Sequence, residues 1–220
     1  MNILLADEWP AELRSIRLGV VEAEVENSRK NEALWQSMEE DVAQIEAAPE
    51  TYAIARQPQI QALRRAYKTL GQDPSRYRPS AEALRRRALK GKPLFQVNAV
   101  VDLINKVSLL TGFSIGGYNA GAIQGQVRLG AGQPNEPYQA LGRKEFNIAR
   151  LPVLRDKAGA FGSPTSDSWR TRIEEDTRRT VLVIFDPARS ENLARAMDYF
   201  RQGLVSYCGA KAAGMQELTF

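Results

Sequence analysis

Three clusters of polar or glycine residues are where this 220-residue chain could gather chemistry. Asp102 and Asn105 stand three apart in a run that is otherwise apolar: Val100, Val101, Leu103, Ile104, Val107, Leu109 and Leu110. On a helix that spacing places them at adjoining positions of one face. A helix apolar nearly all round is buried, so the two either bond nearby backbone or line a pocket. The second cluster, Phe161 to Thr171 (FGSPTSDSWRT), packs Ser163, Thr165, Ser166, Asp167, Ser168 and Thr171 beside Arg170 and Arg172. Such a loop is either a set of local side-chain turns or a ligand cradle whose guanidinium suits a carboxylate or phosphate. The third is Gly116–Gly117–Tyr118–Asn119, where missing side chains would let backbone N–H groups approach a ligand, although hairpin turns use the same residues.

What chemistry these clusters can do is narrowed by what the chain lacks. It has no histidine and a single cysteine, Cys208. The commonest general base, Ser–His and Cys–His activation, and thiolate-rich zinc sites are therefore excluded. Hydrolysis here would rest on carboxylates, Lys, Arg, hydroxyls, backbone amides or a group of the substrate. No metal is expected, nor any cofactor: the Gly-x-Gly fragments do not join a strand to a helix as a dinucleotide site requires.

The elements that must position these clusters follow from periodicity. Alternation over 16–25 predicts a strand, and Ala33, Leu34, Trp35, Met38, Val42 and Ile45 recur at helical spacing within 31–47. A second helix opens at Pro58 and runs over 60–70 to Gly71. Ser80 reads as the cap of a third, ending near Lys90, and Asn98 as the cap of a fourth over 99–110, stopped by Gly112. From Phe113 to Arg189 the chain turns rich in Gly and Pro around short apolar runs at 122–129, 137–141, 152–155 and 180–185. A last helix begins near Ser190, with Leu193, Met197, Phe200, Leu204 and Val205 on one face, and the tail beyond Cys208 reads as frayed. This is an α+β pattern, a helical N-terminal half packed on a mixed or antiparallel β-rich C-terminal half. One domain is expected, with 1–57 as an N-terminal strand and helix, 58–208 as its body and 209–220 as a tail.

Composition is that of a globular protein, 43% hydrophobic and 25% charged. No apolar run is long enough for a membrane span and the first residues turn acidic at once, so a cytoplasmic protein is expected. The net charge of +4 hides an asymmetry: acidic residues outnumber basic ones up to Arg56. Between Arg64 and Lys92 ten cations face only Asp73 and Glu82. Within that stripe Arg85, Arg86, Arg87, Lys90 and Lys92 are the candidate RNA-phosphate contacts. The competing expectations are that consecutive arginines point to different sides of a helix, and that the acidic N-terminal segment packs on the stripe.

Taken in order, Pro79–Ser80, Val97 to Leu109 (VNAVVDLINKVSL), Gly117 to Asn119, Gly125 to Arg128, Leu141–Gly142, Phe161 to Ser168 and the strand 177–185 resemble the B3/B4 domain of the bacterial phenylalanyl-tRNA synthetase beta subunit. The resemblance covers about residues 74–187 and is closest to a free-standing version of that domain. It implies an editing pocket that hydrolyses misattached tyrosine, with Asn105 lining it and Asp102 on the same helix. It also implies a departure. Where the family carries a Pro-Leu-His-Ala-Phe-Asp-like segment whose histidine contacts the editing substrate, this chain reads Ser114 to Asn119, with Gly116 in the histidine's place.

The candidate substrate-binding set is therefore Asp102, Asn105, Gly116, Gly117, Tyr118, Asn119, Thr165, Ser166, Asp167 and Arg170, with no catalytic residue assigned. Amides of Gly116 and Gly117 are candidate oxyanion donors, and Asp167 or Arg170 would hold the ends of an amino acid. Three functions compete. One is a tRNA-interacting protein that deacylates mischarged tRNA in trans. Another is a non-catalytic module binding an amino acid or related small molecule, and the last is a protein-interaction domain using the acidic helix 31–47.

Overall fold

In a computed structural model describing residues 1–142 and 145–220, the chain forms β1 (Ile3–Leu5), β2 (Arg17–Glu24), α1 (Glu32–Ala47), α2 (Pro58–Thr69), α3 (Ser80–Ala88), α4 (Ala99–Thr111), β3 (Ser114–Asn119), β4 (Val127–Ala131), β5 (Pro152–Asp156), β6 (Gly159–Gly162), β7 (Arg179–Asp186), α5 (Leu193–Tyr207) and β8 (Ala213–Thr219). Local chemistry sets the helix ends. Asn31 and Asn98 cap α1 and α4, accepting the N–H groups of Leu34 and Val101. Gly112, at φ 75°, closes α4 in the left-handed conformation that glycine adopts most cheaply. Ser80 is not the cap of α3: Pro79 holds that position and Ser80 begins the first turn.

The strands make two sheets, in the orders β1–β4–β5–β6 and β3–β7–β2–β8. Only β1 with β4 pairs in parallel. Strand β7 explains the layering. Val181, Val183 and Phe185 join Leu18, Val20 and Tyr118 in a core between the two sheets, against Val127, Leu129, Leu154 and Phe161. Leu182 and Ile184, one step out of phase, face α4 and α5 through Val100, Leu103, Val107, Phe200 and Leu204. A strand buried on both faces needs a continuous apolar run, which is how 180–185 reads. Each such fully buried side chain contributes about 1.5–3 kcal/mol, so the β7 layer is the mechanical centre on which the site rests.

The α+β class holds, with four further differences from the sequence expectation. The C-terminal tail does not fray: β8 pairs antiparallel to β2 along its length, Ala213 opposite Ala23 and Thr219 opposite Arg17. Gly116 to Asn119 are not a turn but most of strand β3. The run 137–141 gives only one isolated bridge, Ala140 to Ser168. Val205, expected on the buried face of the last helix, is exposed, while Leu193, Met197, Phe200 and Leu204 are buried. No helix among the described residues is long and apolar enough to cross a membrane.

Candidate functional site

A cavity of about 770 Å³ opens where α3, α4, β3 and the loop after β6 meet. Helix α3 contributes Ser80, Ala83 and Arg87, helix α4 contributes Val101, Ile104 and Asn105, and β3 contributes Ile115 and Gly117. The loop adds Thr165, Ser166, Asp167 and Trp169. Gly117 lets α4 close onto the strand: a Cβ at this position would meet Ile104 Cδ1, which would have to shift.

The pleat divides the Gly116–Asn119 cluster. Ile115 and Gly117 face the cavity, whereas Gly116 and Tyr118 face the core between the sheets. Asn119 is spent on a local cap, accepting the Gly121 N–H. Neither glycine amide is a free oxyanion donor. The Gly117 N–H donates to Asp167 Oδ2 at 3.1 Å, and alternation along the strand turns that of Gly116 toward β7.

Gly116 has its own reason. A Cβ there would lie 2.5 Å from Tyr118 Cζ and closer still to the hydroxyl, so the tyrosine occupies the space a histidine would need. The same ring lies 2.5 Å from a Cβ at Gly162. Gly116→Ala is expected to cost about 1–3 kcal/mol by overpacking. Tyr118→Phe removes a buried hydroxyl that makes no aligned hydrogen bond but lies beside Asp167, and should cost no more than about 1 kcal/mol. Denaturant unfolding of both variants and the double checks this, and the double should cost less than the sum because the clash is shared.

Asp167 is the cavity's titratable carboxyl of note. Burial pushes it up to about 7, against the Gly117 amide and the Tyr118 hydroxyl, which favour its ionised form. Its Oδ1 is sealed from solvent beside the Tyr118 hydroxyl; the two influence each other's protonation but lie out of hydrogen-bonding alignment. The Ser163 amide also favours its ionised form. Thr165 hydrogen-bonds the buried Tyr67 hydroxyl at 2.8 Å, and the Ser166 carbonyl accepts from Tyr138 at 2.7 Å. The side chains of Ser80, Asn105 and Ser166 make no hydrogen bond within the described residues, so they reach the cavity uncommitted.

Two expected members lie elsewhere. Asp102 is buried and outside the cavity lining; its Oδ1 accepts the Val97 N–H at 2.9 Å and burial raises its carboxyl to about 6. It therefore fixes the segment leading into the helix. Arg170 turns away from the cavity into a two-pronged pair with Asp156 and also donates to the Ala122 carbonyl. The arginine at the cavity is Arg172, two residues on, stacked on Trp169 with its guanidinium 3.9 Å from the ring centroid. The guanidinium–aromatic spacing in Trp169–Arg–Thr–Arg172 was the available sequence signal for it.

The five-residue basic patch also divides. Arg85 is fully buried on the face of α3 shared with Ala81 and Ala88, donates to the Leu109 carbonyl, and is lowered to about 10 by burial. It cannot meet RNA; three consecutive helical residues point three ways. Arg86 pairs with the buried Glu82, which also holds Arg64. Arg87 lines the cavity. Among the described residues Lys90 and Lys92 are exposed without an ion pair, although α1 lays Glu39 and Glu46 along the groove that contains Lys92. Arg65, Lys68 and Arg78 are likewise exposed and unpaired among the described residues. No group of three or more Cys, Asp or Glu there could hold a metal ion.

A family model described as the B3/4 domain matches residues 62–209. The phenylalanine–tRNA ligase beta subunits of Bartonella henselae and Bartonella quintana are similar to this chain at 29% and 30% identity over 114 residues. Those matches cover 50% of this chain and 14% of each subunit, so the chain corresponds to a small part of those relatives. An N-terminal fragment of the phenylalanyl-tRNA synthetase beta subunit from Pyrococcus horikoshii shares the fold at a TM-score of 0.50 and 13% identity, over 98% of this chain and 55% of the fragment.

Proposed function

Because this chain belongs to the B3/4 domain family, we propose that it acts on aminoacyl-tRNA in trans, hydrolysing the ester of a mischarged tRNA in the cytoplasm. The observation that carries this reading is the convergence of Ser80, Asn105 and Ser166, all uncommitted, with Asp167 on one cavity. In this reading 58–208 form the B3/B4-like body, and 1–57 and 209–220 complete its sheets.

Without histidine, the proton of the attacking water goes to Asp167, whose carboxyl titrates near neutrality as a general base should. Asn105 and Ser166 orient the aminoacyl group, and as the carbon–oxygen bond breaks the departing ribose oxygen takes the proton back from Asp167 and leaves as the hydroxyl. Positioning provides much of the rate, since ester cleavage needs little more than an oriented water and a proton acceptor. Proofreading of this kind serves where binding alone cannot separate similar side chains. Incubation with a panel of mischarged tRNAs tests it: one or more should lose its ester faster than in buffer, with cognate pairs spared. No acceleration for any member sinks the enzymatic reading.

A second reading, a binding module without turnover, is favoured by the Gly117 amide already being held by Asp167, which removes one oxyanion donor. Calorimetric binding of a free amino acid with no ester loss would select it.

The phosphate contacts outside the cavity are assigned to the exposed Lys90 and Lys92. Their double alanine variant should lower the slope of log affinity for tRNA against log salt by about two, near one unit per lost contact. An unchanged slope removes both from the interface.

A further inference from the structure

Seven large hydrophobic side chains are exposed among the described residues, and they are not scattered evenly. Val97, Leu141 and Trp169 line the mouth of the one cavity just described, and Phe95 lies under Arg87, which lines it too. Phe95 is 69% and Trp169 46% exposed. Each carries a guanidinium on one face: Arg87 at 4.2 Å from the Phe95 centroid, Arg172 at 3.9 Å from that of Trp169. Arg172 is steadied by the Trp169 carbonyl and Glu174. Arg87 spends only its Nε, on the Pro93 carbonyl, and has no carboxylate partner.

We propose that this mouth is a nucleobase clamp: the exposed part of the Trp169 ring stacks the unpaired terminal base of an RNA, and Arg87 takes the adjoining phosphate. A flat π-surface backed by a cation suits a base, which stacks without needing its polar edge desolvated. Arg87's two terminal nitrogens supply the fork that a phosphate accepts. An apolar protein segment fits worse, since covering the mouth would bury two guanidinium groups, one with no counter-charge. The proposal rests on the reading of the cavity as an aminoacyl-tRNA site, and it names the residues that would hold the RNA end outside it.

The test uses the full chain and a labelled RNA hairpin with an unpaired 3′ CCA, beside the same hairpin whose last nucleotide is abasic, read by fluorescence anisotropy. Removing the terminal base should weaken binding roughly five- to a hundredfold, the range of one lost stacking contact. Trp169→Ala should weaken the intact hairpin by the same factor and leave the abasic one unaffected, while Trp169→Phe restores most of the loss. Equal binding of both hairpins, or a Trp169→Ala loss that is the same for both, overturns the clamp and leaves RNA binding standing. If neither hairpin binds at low salt, the aminoacyl-tRNA reading fails and the clamp with it. Circular dichroism of the variants separates either outcome from misfolding.

Discussion

Asp167→Asn is expected to raise the stability of the fold at pH 8 by about 2–4 kcal/mol while reducing deacylation at least about a hundredfold, the scale of a lost general base. The stability half follows from linkage. Burial raises the folded carboxyl to about 7, whereas the unfolded one titrates at about 3.9. Between those values the folded state holds a proton that the unfolded state releases, so wild-type stability falls as pH rises from about 4 to about 7 and is level above. Three units correspond to about 4 kcal/mol, reduced because Asp167 is partly exposed to the cavity. Asparagine removes this slope and suits the site. Its carbonyl can still accept the Gly117 N–H, and a neutral amide carries no charge to desolvate. Asp102 and Asp186, both also raised by burial, keep their share of the slope in the variant. Urea unfolding at several pH values checks it, and parallel profiles for the two proteins would contradict it. Under the proposed reading, such a cost at working pH is the trade of stability for function expected of a catalytic base.

Arg170→Ala should destabilise the fold by about 3 kcal/mol or slightly more, the cost of leaving a buried carboxylate without its cation. Asp156 is fully buried at its side chain, and Arg170 reaches both of its oxygens, at 3.2 and 2.8 Å. The Gln124 and Ala158 amides also donate to Asp156 and keep the loss near the lower end of that range. Because Arg170 ties the loop after β6 to β5 and to the Ala122 carbonyl, the variant should also loosen the cavity wall. Thermal and denaturant unfolding measure the effect. Unchanged unfolding with weakened ligand affinity would return Arg170 to the binding set.

Where local rules govern, the sequence is readable. The helices α1, α2 and α4 follow from apolar spacing, and Asn31, Asn98 and Gly112 mark ends that depend only on neighbouring backbone. The order of motifs along 74–187 carries the family resemblance. Short or glycine-rich strands are less visible. Strand β1 has three residues, and β3 contains two glycines whose intrinsic preference is for turns; both exist because partner strands complete their hydrogen bonds. Strand β8 looks like a polar tail because an edge strand facing solvent needs no apolar alternation.

By itself, the sequence determined the helices, the cap of α4, the α+β class, the family and the absence of histidine chemistry. It also marked Asn105, Gly117, Thr165, Ser166 and Asp167, residues that the fold brings to one cavity. Which neighbours of those residues turn away was decided only in three dimensions. A pleat of period two sends Gly116 and Tyr118 to the opposite core, and a helical step of about 100° buries Arg85 beside exposed Arg86. A buried carboxylate on β5 captures Arg170 and leaves Arg172 at the cavity mouth. Adjacent positions in a chain share a segment but not a direction, and it is the packing of distant segments that selects which direction meets the ligand.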